Sequence, residues 1–314
     1  MHTAIAETRL AVRRLLPELV GELAVAVSGG ADSLALAAAV EHVAHKNGQT
    51  VHGLIVDHGL QPGSAEVAAR TAEQLHRLGL DHVRVLTVTV DGRGGPEAAA
   101  RRARYSALRE AAPGAWVLLG HTRDDQAETV LLGLGRGSGA RSIAGMRALD
   151  TPWARPFLDL PRTTTRAACA ALGLTTWDDP HNEDPKYTRV RLRHEVLPLL
   201  EDVLQGGVAA ALARTAAQLR EDSDALDAVA AELLERTRAG TELNVTLLSG
   251  APAALRRRVL RRWLLEAGAA ELTDAHLRSV DALIAEWRGQ GGVWLPGGLE
   301  AGRAHGRLRV KRAP

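Results

Sequence analysis

Ser28-Gly29-Gly30-Ala31-Asp32-Ser33 puts two hydroxyls, two glycines and a carboxylate into six residues, and Gly120-His121-Thr122-Arg123-Asp124-Asp125-Gln126-Ala127-Glu128 puts a histidine and three acids into nine. The first set has the chemistry of an anion cradle. Glycines let the main chain approach a phosphate, the free N–H groups opening a helix donate to it, and serine hydroxyls add donors. It is not a Walker A loop, because no Gly-Lys-Ser/Thr follows. An ordinary strand-to-helix turn capped by Asp32 or Ser33 uses the same residue types, so the loop alone does not decide. In the second set, a helix beginning near Thr122 places Asp124 and Glu128 four apart and Asp125 and Glu128 three apart, on its first turn and a half. Capping and the helix dipole account for one or two acids there; a histidine with three acids is more than a cap needs. Such acids can orient a cationic nucleophile, take its proton, or hold Mg2+ on a triphosphate.

Further clusters are cationic. The helical stretch around 96–111 crowds Arg101, Arg102, Arg104 and Tyr105 into its middle, which suits one arginine reaching a phosphate, the others on a solvated face and the tyrosine packed inside. Lys186, Arg189, Arg191 and Arg193 stand with His181 and His194 around a loop-to-helix junction, an arrangement open to RNA backbone, a phosphate pocket or plain surface charge. Arg256, Arg257, Arg258, Arg261 and Arg262 fall within two helical turns before Trp263. Leu255, Val259 and Leu260 take the inner stripe of that helix, so several arginines, Arg257 and Arg261 among them, face outward where RNA phosphates can be met.

A doubly wound α/β sheet is the frame that brings the first groups together. Strands are expected near 23–27, 51–57, 83–90 and 115–120, with helices near 33–46, 64–78 and 96–111 between them. Ligands bind at the carboxyl ends of such strands. Each end is chemically marked, by Ser28–Ser33, by Asp57-His58-Gly59-Leu60, by Asp91-Gly92-Arg93-Gly94-Gly95 and by the run from Gly120. A glycine-rich loop (GLGRGSGARSIAGM), an arginine-rich connector from Trp153 to Arg166, a short helix ending at Gly173 and a polar segment follow. From about 201 the pattern is long and helical to Ala239, with helices near 252–267 and 273–287 and a tail that reads as a small hairpin. The expectation is a mostly parallel α/β domain over 1–200 and a mainly helical domain over 201–314.

At 314 residues the chain has room for both. No apolar run reaches the ~20 residues that cross a bilayer, and the first residues read as an amphipathic helix, so a cytoplasmic protein without a membrane segment is expected. The single cysteine, Cys169, sits in an apolar stretch and excludes an internal disulfide or a cysteine-held iron–sulfur cluster. Net charge is only +2, but residues 251–314 carry 12 Lys/Arg against 6 Asp/Glu while 201–250 carry 4 against 9. Lysine occurs only at Lys46, Lys186 and Lys311, and arginine suits planar contact with phosphates and bases.

The ordered set SGGADS, IVDHGL, GPEAAARRARYSAL, GHTRDDQAET, GLGRGSGARSIAGM, RPFLDLPRTTTRAACAALGL and DDPHNEDPKYTRVRLRHEVLPLL, from about Leu23 to Leu200, resembles the tRNA(Ile)-lysidine synthetase family, a branch of the PP-loop (N-type) ATP pyrophosphatases. SGGADS by itself resembles the whole superfamily; the later motifs in this order are specific to the branch. The C-terminal third resembles the helical substrate domain of its short members.

The resemblance implies a PP-loop fold and a ligase. ATP adenylates the carbonyl oxygen of the wobble cytidine, position 34, in the CAU anticodon of tRNA(Ile); the ε-amine of free L-lysine then displaces AMP, and the codon read changes from AUG to AUA. It also implies ATP binding by Ser28, Gly29, Gly30, Ala31, Asp32 and Ser33, with Asp32 placing Mg2+ or the nucleotide, and lysine handling by Asp125 and Glu128. Arg104 and His121 match positions near the reactive phosphate, and Arg189, Arg191 and Arg193 match a substrate loop contacting tRNA, though Arg189-Val190-Arg191 stands where relatives commonly read arginine-asparagine-arginine. His58 either lines an adenine pocket or closes a turn, and a homodimer is open. The alternatives are another PP-loop tRNA-modifying enzyme, against which the lone Cys169 speaks where a thiolase needs cysteine pairs, and a non-catalytic RNA-binding protein, which needs no acids facing an anion.

Overall fold

The structure, a computed structural model, describes residues 2–59, 61, 63–80, 82–90, 96–137, 139–180 and 183–312. The marked strand end at 91–95, Leu60 and His181 lie outside these residues. The chain forms two compact units, one of Met1–Gly137 with Ser142–Ala216 and one of Ser138–Arg141 with Ala217–Pro314.

In the first unit, β1 (Leu23–Ala26), β2 (Val51–Asp57), β3 (His82–Thr87), β4 (Trp116–Leu119), β5 (Leu149–Asp150) and β6 (Trp153–Ala154) form one sheet in the order β3-β2-β1-β4-β6-β5. All pairings are parallel except β5 with β6. Alternate side chains of β1 enter different cores: Leu23 and Val25 join one cluster, Ala24 and Ala26 the other. That is the pleat of a strand buried on both faces. The first core takes α1 (Thr3–Leu15), α2 (Ala31–His45) and α3 (Ser64–Leu78); Leu108 and Tyr105 of α4 (Pro96–Ala111) pack into the second. Tyr105 stands edge-on to Trp153 at 4.6 Å, the packing role its spacing suggests. α2 is apolar nearly all round and buried from Ser33 to Val40, as expected for a helix roofed by others.

Beyond β4 run α5 (Arg123–Gly135), the one-turn α6 (Ala140–Ile143), α7 (Arg162–Ala171) and α8 (Thr188–Arg191). A π-helical turn, Leu192–Val196, joins α8 to α9 (Leu197–Val203). Pro198 has no N–H to donate to the His194 carbonyl, and the Leu197 N–H reaches five residues back to Leu192 O, which widens the turn. The long helix expected from 201 is interrupted: Gln205, Gly206 and Gly207 take positive φ, and α10 (Val208–Thr237) starts afresh.

The second unit builds its core from Leu234, Val259, Leu260, Trp263, Leu264, Val280 and Leu283, with Leu243, Ala301 and Leu308 from a sheet. Its helices are the end of α10, α11 (Val245–Ser249), α12 (Ala253–Glu266) and α13 (Asp274–Ala285). The expected hairpin exists, β10 (Leu299–Ala304) with β11 (Arg307–Arg312), turned by His305 and Gly306 at φ 49 and 72 as a two-residue hairpin requires. It belongs to a larger antiparallel sheet, β7-β8-β11-β10-β9, completed by β7 (Arg238–Ala239), β8 (Glu242–Asn244) and β9 (Val293–Leu295).

Candidate active site

The strand order reverses between β1 and β4, the crevice where doubly wound sheets hold ligands. Ala26 and Leu119 are register partners, so the loops after the two strands leave the sheet at one level. Gly120 makes their contact possible: a Cβ there would lie 2.9 Å from the Asp32 carbonyl oxygen. Gly29 has φ +86, and a Cβ on it would meet Thr71 Oγ1 at 2.7 Å.

Within the loop the serines differ. Ser33 is buried; its Oγ donates to Gly30 O at 2.9 Å and accepts from the Ser28 N–H at 3.1 Å, so it braces the turn. Ser28 is exposed to the cleft. The Trp177 N–H donates to Gly29 O at 2.9 Å, tying the later polar segment to the loop.

Asp125 is both cap and site. Its Oδ2 accepts from the Thr122 N–H at 2.7 Å and hydroxyl at 3.0 Å, while Oδ1 accepts from Arg162 Nη2 at 2.6 Å. Burial disfavours its charge, but Arg162, the Thr122 N–H and Arg193 outweigh burial and hold the carboxyl below the usual range. Asp124 turns aside to accept the main-chain N–H of Arg162 at 2.8 Å. Glu128 is fully buried, with Oε1 accepting from Arg193 Nε at 2.8 Å and Oε2 3.6 Å from Arg189 Nη1. Burial wins there, and its carboxyl is raised despite Arg193. Asp32 is raised by burial too, although Thr165 Oγ1 donates to Oδ1 and Arg162 Nε donates to Oδ2 at 3.2 Å.

The structure thus brings Asp32, Asp125 and Glu128 around one guanidinium, that of Arg162, which reasoning from the sequence did not single out. Its signal was slight: a helix start after Pro161, inside a connector noted only as arginine-rich. A second connector, the loop-to-helix junction around 186–194, also carries arginines: Arg189 and Arg193 reach Glu128, and Arg193 Nη2 lies 3.6 Å from Asp125. Arg191 does not join them; it pairs with Glu195 at 2.8 Å in solvent, and Val190 between them is buried.

Two clefts meet at this crevice. One, of about 1070 Å³, is lined by Ser28, Asp32, Arg104, His121, Asp125 and Arg193 among others. Burial drives the His121 imidazole down to about 3, against the pull of Asp125, so it is neutral, and its Nδ1 has no partner among the described residues. Burial also lowers the Arg104 guanidinium from its ordinary value. The other cleft has apolar walls from Leu54, Ile55, Val56 and Val67 and a polar rim of His58, Gln61 and Asp179, the mixed lining of a small-molecule site. Ser28, Arg104 and Trp177 border both clefts. His58 lines the second, its imidazole lowered by burial and by Arg104.

Among the described residues no group of three or more His, Cys, Asp or Glu is arranged to hold a metal ion. Mg2+ is commonly bound through one or two carboxylates together with substrate phosphates, and Asp32 beside the loop offers that single-carboxylate kind of donor.

In the second unit Arg256 is committed to Asp281, by Nε at 2.7 Å and Nη2 at 3.1 Å, and Arg258 to Asp227 at 2.6 Å. Arg257 and Arg261 are half-buried; each donates to a main-chain carbonyl, Ala253 O at 3.2 Å and Leu272 O at 3.4 Å. Trp263 is in the core with Nε1 donating to Thr241 O at 3.0 Å.

Comparison with known proteins fits this geometry. Residues 7–200 match the PP-loop domain family and residues 243–309 the TilS substrate binding domain. A tRNA(Ile)-lysidine synthase from Rhodococcus erythropolis is 61% identical over 90% of this chain and 88% of its own length. One from Mycobacterium tuberculosis is 55% identical over 100% and 99%. Among solved structures, a U34-tRNA thiolase from Methanococcus maripaludis with its 4Fe-4S cluster matches with TM-score 0.58 at 19% identity, covering 69% of this chain and 80% of that one, a likeness of fold alone. With the PP-loop match spanning most of the chain and relatives of this identity along nearly all of it, the chain belongs to the tRNA(Ile)-lysidine synthase family.

Proposed function

We propose that this chain ligates L-lysine to C2 of cytidine 34 in the CAU anticodon of tRNA(Ile), using ATP and acting in the cytoplasm. The observation that carries the reading is that one guanidinium joins an acid of the phosphate-cradling loop, Asp32, to an acid of the neighbouring helix, Asp125. A loop for the leaving pyrophosphate and acids for an amine thus share one crevice.

In the first step the cytidine C2 oxygen attacks the α-phosphorus of ATP, the new P–O bond forms, and the bond to pyrophosphate breaks. The N–H groups opening α2 and the Ser28 hydroxyl face the charge that gathers on the leaving oxygens, and Arg104 adds a cation. Mg2+, held by Asp32 with the phosphates, would neutralise part of that charge. The apolar-walled cleft beside Ser28 suits the adenine, with His58 on its rim. In the second step the lysine ε-amine attacks C2, the C–O bond breaks, and AMP leaves with the former carbonyl oxygen. A free lysine amine has pKa near ~10.4, so it arrives as ammonium; Asp125 and Glu128 receive it and take its proton. His121, neutral, can donate or accept one hydrogen bond but brings no charge. Arg189, Arg193 and Arg191 on the connector, and Arg257 and Arg261 of α12, supply cations for tRNA phosphates.

The thiolase alternative is disfavoured by Cys169, whose thiol is buried and pushed up to about 12. Incubating a CAU-anticodon tRNA with ATP, Mg2+ and lysine and analysing its nucleosides tests the proposal. Lysidine with equimolar AMP is expected, and unmodified cytidine 34 refutes it.

A further inference from the structure

Arg162 meets four carboxylates that come from two elements. Its main-chain N–H donates to Asp124 Oδ2 at 2.8 Å, Nε donates to Asp32 Oδ2 at 3.2 Å, Nη2 donates to Asp125 Oδ1 at 2.6 Å, and Nη2 lies 3.9 Å from Glu128 Oε1. Asp32 opens α2 after β1, while the other three open α5 after β4. Arg162 itself begins α7, a third element.

That helix is laid along the phosphate loop by three rungs at helical spacing. Arg162 and, one turn later, the fully buried Thr165 take the two oxygens of Asp32, and Cys169, one turn further, directs its S–H to Ala31 O at 3.2 Å. Residues i, i+3 and i+7 share one face, so α7 presents a single edge to the start of α2. The lone cysteine thereby has a place as a packing rung.

The cations on the acids are not equivalent. Arg162 is 16% exposed and anchored by its own main chain, whereas Arg193 and Arg189 are 27% and 35% exposed and sit on the connector around the π-turn. An ammonium entering from the cleft can replace the connector guanidiniums more readily than Arg162.

We propose that Arg162 is a positioning residue for the lysine-transfer step: it bridges Asp32 to Asp125 across the β1/β4 crevice and fixes the acids that receive the amine in register with the loop that holds the nucleotide. This role rests on the lysine-transfer reaction proposed above. The bridge uses the flat Nε–Nη2 edge of a guanidinium, and a lysine ammonium at this position keeps the charge but cannot span two carboxylates in that geometry. Misplacement of reacting groups by about 1 Å can cost on the order of 100-fold in rate.

The test is a single-turnover measurement on the full chain. Enzyme and tRNA are first adenylated with ATP and Mg2+, then mixed with saturating lysine, for wild type, Arg162→Lys and Arg162→Gln. The burst amplitude reports how much enzyme is folded and loaded; the rate constant reports alignment. The expected result is a rate at least tenfold lower in Arg162→Lys and at least a hundredfold lower in Arg162→Gln, measured on whatever amplitude remains. Wild-type rates on a reduced amplitude in either variant would mean that Arg162 only supports the fold, and overturn the proposal. A lysine variant as fast as wild type at full amplitude overturns the bridge in favour of charge alone. A wild type that forms adenylated tRNA but passes it to no lysine refutes the reaction instead, an outcome distinct from failure of the Arg162 role.

Discussion

Replacing Glu128 by Gln separates the amine from the nucleotide. Glu128 is fully buried and touches Arg193 at 2.8 Å and Arg189 at 3.6 Å. Breaking a buried ion pair costs roughly 3–5 kcal/mol when the surviving charge stays buried. Here both arginines are about a quarter to a third exposed and Arg193 keeps Asp125 nearby, so most of that cost is relieved by water and by the second acid. The pH linkage works in the same direction. The carboxyl of Glu128 is raised in the folded state, so the stability this group contributes is present at low pH and lost as pH rises through the raised value; ionised Glu128 is a cost at neutral pH that glutamine removes. Net destabilisation of about 1 kcal/mol is expected. Lysine binding loses a charge-assisted hydrogen bond worth about 1.5–3 kcal/mol, roughly ten- to a hundredfold in KM for lysine. In the proposed reaction ATP is handled at the other side of the crevice, so its KM should stay within about twofold. AMP release with tRNA at varied lysine and varied ATP, beside thermal unfolding, measures all three. Equal rises in both KM values would refute a lysine-receiving role and make Glu128 a structural or metal-holding acid.

Asp32→Ala should abolish AMP formation while leaving a folded protein, because the side chain serves the phosphate loop; near-normal adenylation in a rate assay contradicts that. His121, driven down to about 3 by burial, contributes stability that is present above its ordinary value near 6.5 and lost as pH falls toward 3, so His121→Asn should flatten the fall of Tm between those pH values, and an unchanged slope would show that the imidazole titrates normally. Reversing Arg257 and Arg261 to Glu should weaken tRNA binding and lower its log–log salt slope by about 2, with ATP binding unchanged; an unaltered slope in filter-binding titrations leaves these arginines as solvated surface.

The frame of the site was legible because it follows from local rules. Short apolar runs with valine gave β1, β2 and β4, and both faces of β1 are buried, so no alternation was needed to recognise it. The acids of α5 were legible because three- and four-residue spacing puts them on one helix face. The second unit was less so. β7 and β8 span two and three residues, too short for a period to show; β8 becomes a strand on the edge that β11 offers, and β7 on the edge of β8.

The connector arginines show where a correct list of residues still misses geometry. Alternate arginines look like one row if the chain is imagined extended. On a helix, positions two apart point to nearly opposite sides while positions four apart share a face. Arg189 and Arg193 therefore turn to Glu128 together, Arg191 turns to solvent and takes Glu195 four residues on, and Val190 fills the interior. Pro198 then opens the π-turn that carries Arg193. Arg162 is a harder case of the same kind. Its partners Asp32 and Asp125 lie 130 and 37 residues away, and no local pattern links them; the link exists only because β1 and β4 are neighbours in the sheet and α7 packs along the helix that follows β1. Groups whose task is to join two strand ends are invisible to spacing rules for that reason. They are found by asking which cation meets the acids that spacing does reveal: Asp32, Asp125 and Glu128 stand together in one crevice, and Arg162 is the residue that the topology delivers between them.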